Sequence, residues 1–392
     1  MHSLAILFLL VQQSATIEVT VDAGSHDRRN TVISVPVTIP ASSAGAVTAI
    51  LEDSTGKTLQ GQIASGKELR FILPELKAGQ SATYKVTFIR EPSKLDETFV
   101  WKDTAGDFAE LSFGKRPVLR YMYKALDEST KEARTETYKI FHHLYDPKGD
   151  RLVTKGAGSQ FTHHRGIFYG FNKVTYGDNK KCDVWHCSGD AFQSHEKFLL
   201  TEAGPVFGRH RLLVAWHGVK KEVFANEERD LTVYSLPNGT LVEFSSDLTP
   251  VIAPIQLDGD PQHAGFHFRA AAEVVEKTAK QTYYLRPSGP DKFGATRNWP
   301  GNKDHVNLPW NAMSMVIGDQ RYTVAYLDRP DNPKESRFSE RDYGRFGSYF
   351  EKKLEKDDKL SVRYRIWLQA GEMKGEEVAR LSVDFLEPPK VT

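Results

Sequence analysis

Arg229-Asp-Leu-Thr-Val-Tyr234, Pro237-Asn-Gly239 and Leu241-Val-Glu-Phe-Ser-Ser246 read together as one β-hairpin. Apolar and polar residues alternate on both sides of an Asn-Gly pair. Alternation of period two is strand spacing, because successive side chains of a strand face opposite ways. Asn-Gly supplies the positive φ angles that a tight hairpin turn requires. The same texture fills the chain. Ile17-Glu-Val-Thr-Val21, Thr31–Ile39, Ala46–Leu51, Leu69–Leu73 and Ala82–Phe88 alternate in short runs, broken by Gly, Pro, Ser and Asp. Phe99–Trp101, Ala109–Phe113, Val118–Tyr123, Tyr138–His143, Arg211–Trp216, Tyr322–Leu327 and Leu360–Leu368 continue it. Only Asp127–Ala133 and Glu376–Val383 read as helical.

No βαβ alternation is present, so the expected class is all-β, with antiparallel sheets packed face to face. Residues 16–95 suit a small immunoglobulin-like β-sandwich, although they lack the Cys…Trp…Cys signature of true immunoglobulin domains. Residues 100–392 suit one large antiparallel β-sandwich. Glu91-Pro-Ser-Lys-Leu-Asp96 reads as the linker between them.

The 392 residues carry a net charge of +1. That gives no footprint for nucleic acid. Residues 1–15 hold an apolar run, Leu4–Val11, followed by small and polar residues. This is a signal-peptide core too short to span a bilayer, and it implies a periplasmic or secreted protein. No later segment is apolar enough to be transmembrane. The two cysteines, Cys182 and Cys187, fit either one small disulfide loop in an exported protein or two free thiols.

Chemistry concentrates in three stretches. In the first, His163-His164-Arg165-Gly166 is followed by Asp183, His186 and His195. Imidazole titrates near neutrality and is the commonest metal ligand, so clustered histidines beside Asp and Arg mark a candidate site. If His163 and His164 lie in a strand, they point to opposite faces. The second stretch is Gln262–Arg269, in which His263, His267 and Arg269 alternate and are expected to share one strand face, with Phe266 and Phe268 on the other. The third is a proline-bounded loop that carries Asn332, Arg337, Arg341 and Tyr343. Carboxylates, Arg and Tyr on a loop suit a hydroxyl-rich ligand. A Gly-x-Ser-x-Gly elbow, a P-loop, a dinucleotide fingerprint and a His-Glu-x-x-His site are all missing, so no cofactor is assigned.

Taken in order, His163-His164-Arg165-Gly166, Asp183-Val-Trp185, Gly265 with Arg269, Pro309-Trp-Asn, Asp331-Asn-Pro333, Arg341-Asp-Tyr-Gly344 and Tyr364-Arg-Ile resemble the PmoA-like ("methane oxygenase PmoA") family of exported bacterial proteins, a domain of unknown function. The resemblance covers the chain from about Gly106 onward. It implies an exported all-β domain associated with sugar catabolism, for which a galactose-mutarotase-like supersandwich is the shape analogy. It carries no oxygenase activity over.

The expectation is an exported carbohydrate-acting hydrolase, lyase or epimerase. His163 or His164 is the acid/base and Asp183 its orienter. Arg165 and Arg341 are the expected clamps, with His186, His195, His263, His267, Arg269, Asn332, Arg337 and Tyr343 binding substrate. The expected ligand is a small molecule or oligosaccharide. The alternatives are a non-catalytic glycan-binding protein and a metal-dependent oxidoreductase that uses the same histidines.

Overall fold

The computed structural model describes residues 16–91 and 95–392. The apolar run Leu4–Val11 and linker residues 92–94 lie outside them. No helix among the described residues is long and apolar enough to cross a membrane. The described residues form two compact units, residues 16–91 together with Pro389–Thr392, and residues Leu95–Pro388.

In the smaller unit, seven antiparallel strands form one continuous sheet. Their order is Arg28–Pro36, Glu68–Leu76, Thr58–Ala64, Thr48–Asp53, Ser81–Ile89, Thr16–Asp22 and Lys390–Val391. The C-terminus thus returns to pair with the first strand, Val21 opposite Val391. Alternate residues Val19, Leu51, Leu69, Phe71, Leu73 and Val86 point into a common core. That core needs one apolar side per strand, which is what the alternation provides.

In the larger unit, two nine-stranded antiparallel sheets enclose one core. The first runs Arg297–Asn298, Arg337–Arg341, Arg345–Tyr349, Ala264–Arg269, Ile167–Phe171, Phe141–Leu144, Arg116–Met122, Phe108–Phe113 and Phe99–Thr104. The second runs Phe192–Ala203, Gly208–His217, Val223–Leu236, Gly239–Pro250, Leu360–Ala370, Gln320–Asp328, Trp310–Ile317, Tyr283–Arg286 and Gly289–Pro290. A four-stranded sheet, Lys180–Cys182, Lys173–Tyr176, Ile255–Asp258 and Lys352–Leu354, lies beside them in the same unit. The Asn-Gly hairpin is present, with Leu236 opposite Gly239 and Asn238 at φ 75°.

Aromatic rings join the two large sheets. Phe266 stacks on Tyr364 with centroids 4.7 Å apart, and Tyr169 meets Phe244 at 6.0 Å. Burying each such ring contributes about 2–3 kcal/mol by apolar area. The strand Ala264–Arg269 enters the first sheet through Gly265 at φ +88°. A Cβ there would lie 2.0 Å from the Ser348 carbonyl oxygen, so only glycine fits.

Two helices were expected and, among the described residues, two α-helices form, with shifted limits. The first is Lys131–Thr137 rather than Asp127–Ala133. Thr130 Oγ1 accepts the Ala133 N–H at 3.0 Å as the N-cap, while Asp127 spends its carboxylate on the Ser129 N–H. The second is Gly375–Leu386, which buries Val378, Leu381 and Phe385. A π-helical turn at Val274–Thr278 carries no periodic signal in the sequence.

Candidate functional site

His163 and His164 lie in a turn, not in a strand. The His164 N–H donates to the Phe161 carbonyl at 2.9 Å, and Phe161 has φ +56°. A turn does not alternate its side chains, so both imidazoles fall on one side, with ring centroids 4.3 Å apart. The expectation of opposite faces is corrected by this geometry.

His186 and His263 join them through two copies of one local device. Asp183 Oδ1 accepts the backbone N–H groups of Trp185 (2.9 Å) and His186 (2.7 Å), and Asp183 Oδ2 lies 2.7 Å from His186 Nδ1. Asp260 Oδ1 accepts the Gln262 N–H at 2.9 Å, and the same oxygen lies 3.0 Å from His263 Nδ1. In each Asp-x-x-His, one carboxylate folds the turn and fixes the ring that follows it. Asp residues do this readily because their short side chain reaches the backbone two residues on. Asn172 Nδ2 donates to Asp260 Oδ2 at 2.7 Å and steadies the second copy.

The four rings converge. His163 lies 4.4 Å from His186 and 5.4 Å from His263, His186 lies 4.6 Å from His263, and His164 lies 5.8 Å from His263, centroid to centroid. One nitrogen from each of His163, His164 and His263 falls within 4.8 Å of the others. His163 Nε2 and both ring nitrogens of His164 are buried without a hydrogen-bond partner. Unpaired buried polar nitrogens are costly, so they mark a place where something else binds.

Electrostatics keeps His163 and His164 neutral. Burial, with help from His186, Lys139, His263 and Arg165, pushes His163 down to about 2. Burial and the nearby Arg345 hold His164 well below the usual histidine range. Burial would raise Asp260, but its bond and attraction to His263 outweigh that and hold it below the ordinary carboxylate range. Lys139 is buried, donates to the backbone carbonyls of His163 and Trp185, and is pushed down to about 7 by burial. Beside the cluster, Asn172, Cys182, Asp183, Asp190, Gln256 and Asp258 line an open cleft of about 690 Å³ that shares Asp183 with it.

Several expected roles are corrected. Asp183 orients His186, not His163 or His164, because the turn that it folds ends at His186. Arg165 is no open clamp. Its guanidinium is buried, donates to the carbonyls of Thr162, His164 and Thr135, and so ties the histidine turn to the first helix. His195 lies on Phe192–Ala203, 3.2 Å from the Tyr121 hydroxyl and against Tyr123 and Phe198, in a separate aromatic cluster. His267 has both nitrogens occupied, Nε2 by the Ala264 carbonyl at 2.8 Å and Nδ1 by Arg345 at 3.2 Å.

Arg269 donates to the Tyr343 carbonyl and lies over the Tyr343 ring. Asn332 is buried against Asp328 and the Arg363 carbonyl, where it shapes its own loop. Arg337 is held by Glu335, Glu351 and the face of Trp299, away from the histidines. Arg341 pairs with neither neighbouring carboxylate, since Asp342 goes to Lys280 and Glu340 to Arg286. Tyr343 does reach the cluster, stacked 6.2 Å from His164 and 4.9 Å from Phe161. Cys182 and Cys187 are free thiols, and Cys187 Sγ donates to the Tyr138 carbonyl at 3.4 Å. Asp260, Asn172 and Arg345 are neighbours of the site that the sequence reading passed over. The Asp-x-x-His spacing shared by Asp183–His186 and Asp260–His263 was the available signal for the first.

Comparison with solved structures finds similarity to a protein of glycosyl hydrolase family 38 from Enterococcus faecalis. The TM-score is 0.49 and the identity 7%, over 97% of this chain and 48% of that one. An alpha-mannosidase from Enterococcus faecalis is also similar, with a TM-score of 0.47 and 7% identity over 96% of this chain and 45% of that one. The chain thus spans about half the length of each. No curated protein matches the chain. The model of a family described as "Family of unknown function (DUF6807)" matches residues 109–382, and the chain belongs to that family.

Proposed function

We propose that the larger unit is a metal-dependent enzyme acting on a hydroxyl-rich, carbohydrate-type substrate, with His163, His164 and His263 as the metal ligands. One observation carries the reading: three imidazole nitrogens from separate residues converge within 4.8 Å. Asp260 occupies the other nitrogen of His263, which is how histidine ligands are commonly oriented and made more basic. Three imidazole nitrogen ligands with positions left open suit a catalytic zinc or another first-row divalent ion. Such an ion supplies Lewis acidity to a substrate oxygen.

The chain's own residues divide the remaining work. His163, held to about 2, has no proton to give near neutral pH, which speaks against it as a general acid. That role passes to His186, which is partly exposed and has Nδ1 fixed by Asp183, leaving Nε2 to accept or return a proton. Phe161 is 41% exposed, stacks on Tyr343 and offers an aromatic face beside His164. Apolar faces of this kind receive the C–H side of a sugar ring. The resemblance to PmoA-like proteins supports the carbohydrate element of the reading, and the oxygenase name adds no activity to it. Hydrolysis, elimination and epimerisation each use a proton acceptor, the role assigned here to His186.

A cobalt titration tests the reading. Metal-free protein given Co²⁺ should develop visible ligand-field absorption that saturates at one equivalent per chain, and His163→Ala and His263→Ala should each abolish it. Absorption unchanged in both variants, or none in the unaltered protein, would overturn it.

A further inference from the structure

Asp183 and Asp260 are the carboxylates that touch the histidine rings. Around them stand more cations than they can balance. Arg165, Arg269 and Arg345 are each 1% exposed, and every hydrogen bond they make is to a neutral group. Arg269 donates from Nη1 to the Tyr343 carbonyl, while its Nε and Nη2 are buried without a partner. Arg345 donates to Ser339 Oγ at 2.7 Å and lies 3.2 Å from His267 Nδ1, and its Nε is buried without a partner.

Both arginines border the cluster. Arg269 lies 4.8 Å over the Tyr343 ring, which stacks on His164. Arg345 touches His267, which packs on Trp185 at 4.8 Å, and Trp185 in turn meets His164 and His263.

A guanidinium taken out of water without a counter-charge is destabilising, and proteins retain such groups where a ligand supplies the charge. Two carboxylates would offset a divalent ion between the histidines and leave the guanidiniums uncompensated. We infer that the ligand of this centre is an anion, bearing a carboxylate or a comparable oxyanion that Arg269 and Arg345 receive. For a carbohydrate-type substrate this means an acidic sugar rather than a neutral one. The inference rests on the proposed site for its location, but the arginine surplus is independent of whether a metal is bound. Arginine suits the task because its planar fork pairs with two carboxylate oxygens at once.

The test is thermal melting of the full chain, metal-free and zinc-loaded, at fixed ionic strength. The additions are D-glucuronate, acetate, inorganic phosphate, chloride and D-glucose, and metal content is measured alongside. Glucuronate, acetate or phosphate should raise the melting temperature by several degrees where chloride and glucose do not. A response to glucuronate and acetate but not phosphate identifies a carboxylate site, and the reverse identifies a phosphate site; both support an anion. In Arg269→Met and Arg345→Met the response should fall at least tenfold in apparent affinity, while zinc content stays at the unaltered level. The anion-free melt of each variant shows that it is folded, so a lost response is read as lost binding. The inference is overturned if no oxyanion shifts the unaltered protein in either metal state, or if glucose shifts it as much as glucuronate. It is also overturned if both variants keep the full response. Loss of zinc binding with the anion response intact would instead overturn the metal reading alone.

Discussion

His263 Nδ1 lies 3.0 Å from Asp260 Oδ1, and His186 Nδ1 lies 2.7 Å from Asp183 Oδ2, each histidine three residues after its aspartate. The two pairs are built alike and differ in what their rings face. His263 shares a point in space with His163 and His164, whereas His186 stands at the edge of that group, closest to His163.

Asp260 should therefore act through the metal and not on the substrate. Asp260→Asn should weaken metal affinity by roughly 10- to 100-fold, the usual effect of removing a carboxylate behind a ligating histidine. Competition against a chromophoric chelator measures it. An unchanged affinity would remove Asp260 from the centre.

His186 should separate from the ligands in the opposite way. His186→Gln should bind metal normally and lose turnover by about 10²- to 10⁴-fold, as expected when a general acid/base is removed. Asp183→Asn should lower the rate without moving metal content. Loss of metal in His186→Gln would make it a fourth ligand instead.

Much of the fold was legible in the sequence because period-two alternation and an Asn-Gly turn are local signals. The hairpin at Leu236–Gly239 needs nothing from the rest of the chain. The cluster was legible only as residue types. A strand at His163 and His164 would set their rings on opposite faces, and no local pattern announces the turn at Phe161 that swings both rings to one side. His195 is nine residues after His186 yet belongs to another site, because Phe192–Ala203 carries it into the opposite sheet beside Tyr121. Arg165 looked like a clamp from its neighbours, and only three-dimensional packing shows its donors spent on backbone carbonyls.

The His142–His210 pair gives a prediction on acid stability. His210 is fully buried, stacks on Trp101 at 4.7 Å and lies 3.0 Å, nitrogen to nitrogen, from His142. Burial first, then His195 and Arg229, holds it at about 3 against an ordinary 6.5. A histidine depressed in the folded state takes up its proton more readily when unfolded. Its contribution is therefore fully present above about pH 6.5 and lost as pH falls toward 3. The slope is about 1.4 kcal/mol per pH unit for each proton taken up on unfolding. Urea unfolding of His210→Gln between pH 6.5 and 4 should show a shallower slope than the unaltered chain. Equal slopes would mean that His210 is protonated in the folded protein.

The pair Glu227–Arg229 tests the second large sheet. Both side chains are fully buried, Arg229 Nε lies 2.8 Å from Glu227 Oε1, and Trp216 Nε1 donates to Glu227 Oε2 at 2.9 Å. Arg229→Met leaves a buried carboxylate with one neutral donor and should cost about 3–5 kcal/mol. Replacing both residues with apolar side chains of similar volume should recover most of that loss. Chemical denaturation reads both variants.

Anomalous X-ray diffraction from crystals of metal-loaded protein decides whether His163, His164 and His263 hold a metal ion. One anomalous peak is expected, bonded to nitrogens of those three histidines, at about 2.0–2.1 Å if the ion is zinc. His186 should stand beside that peak with Nδ1 still on Asp183. A loaded crystal with no peak among these rings, or with its peak on other residues, would contradict metal binding by the three histidines.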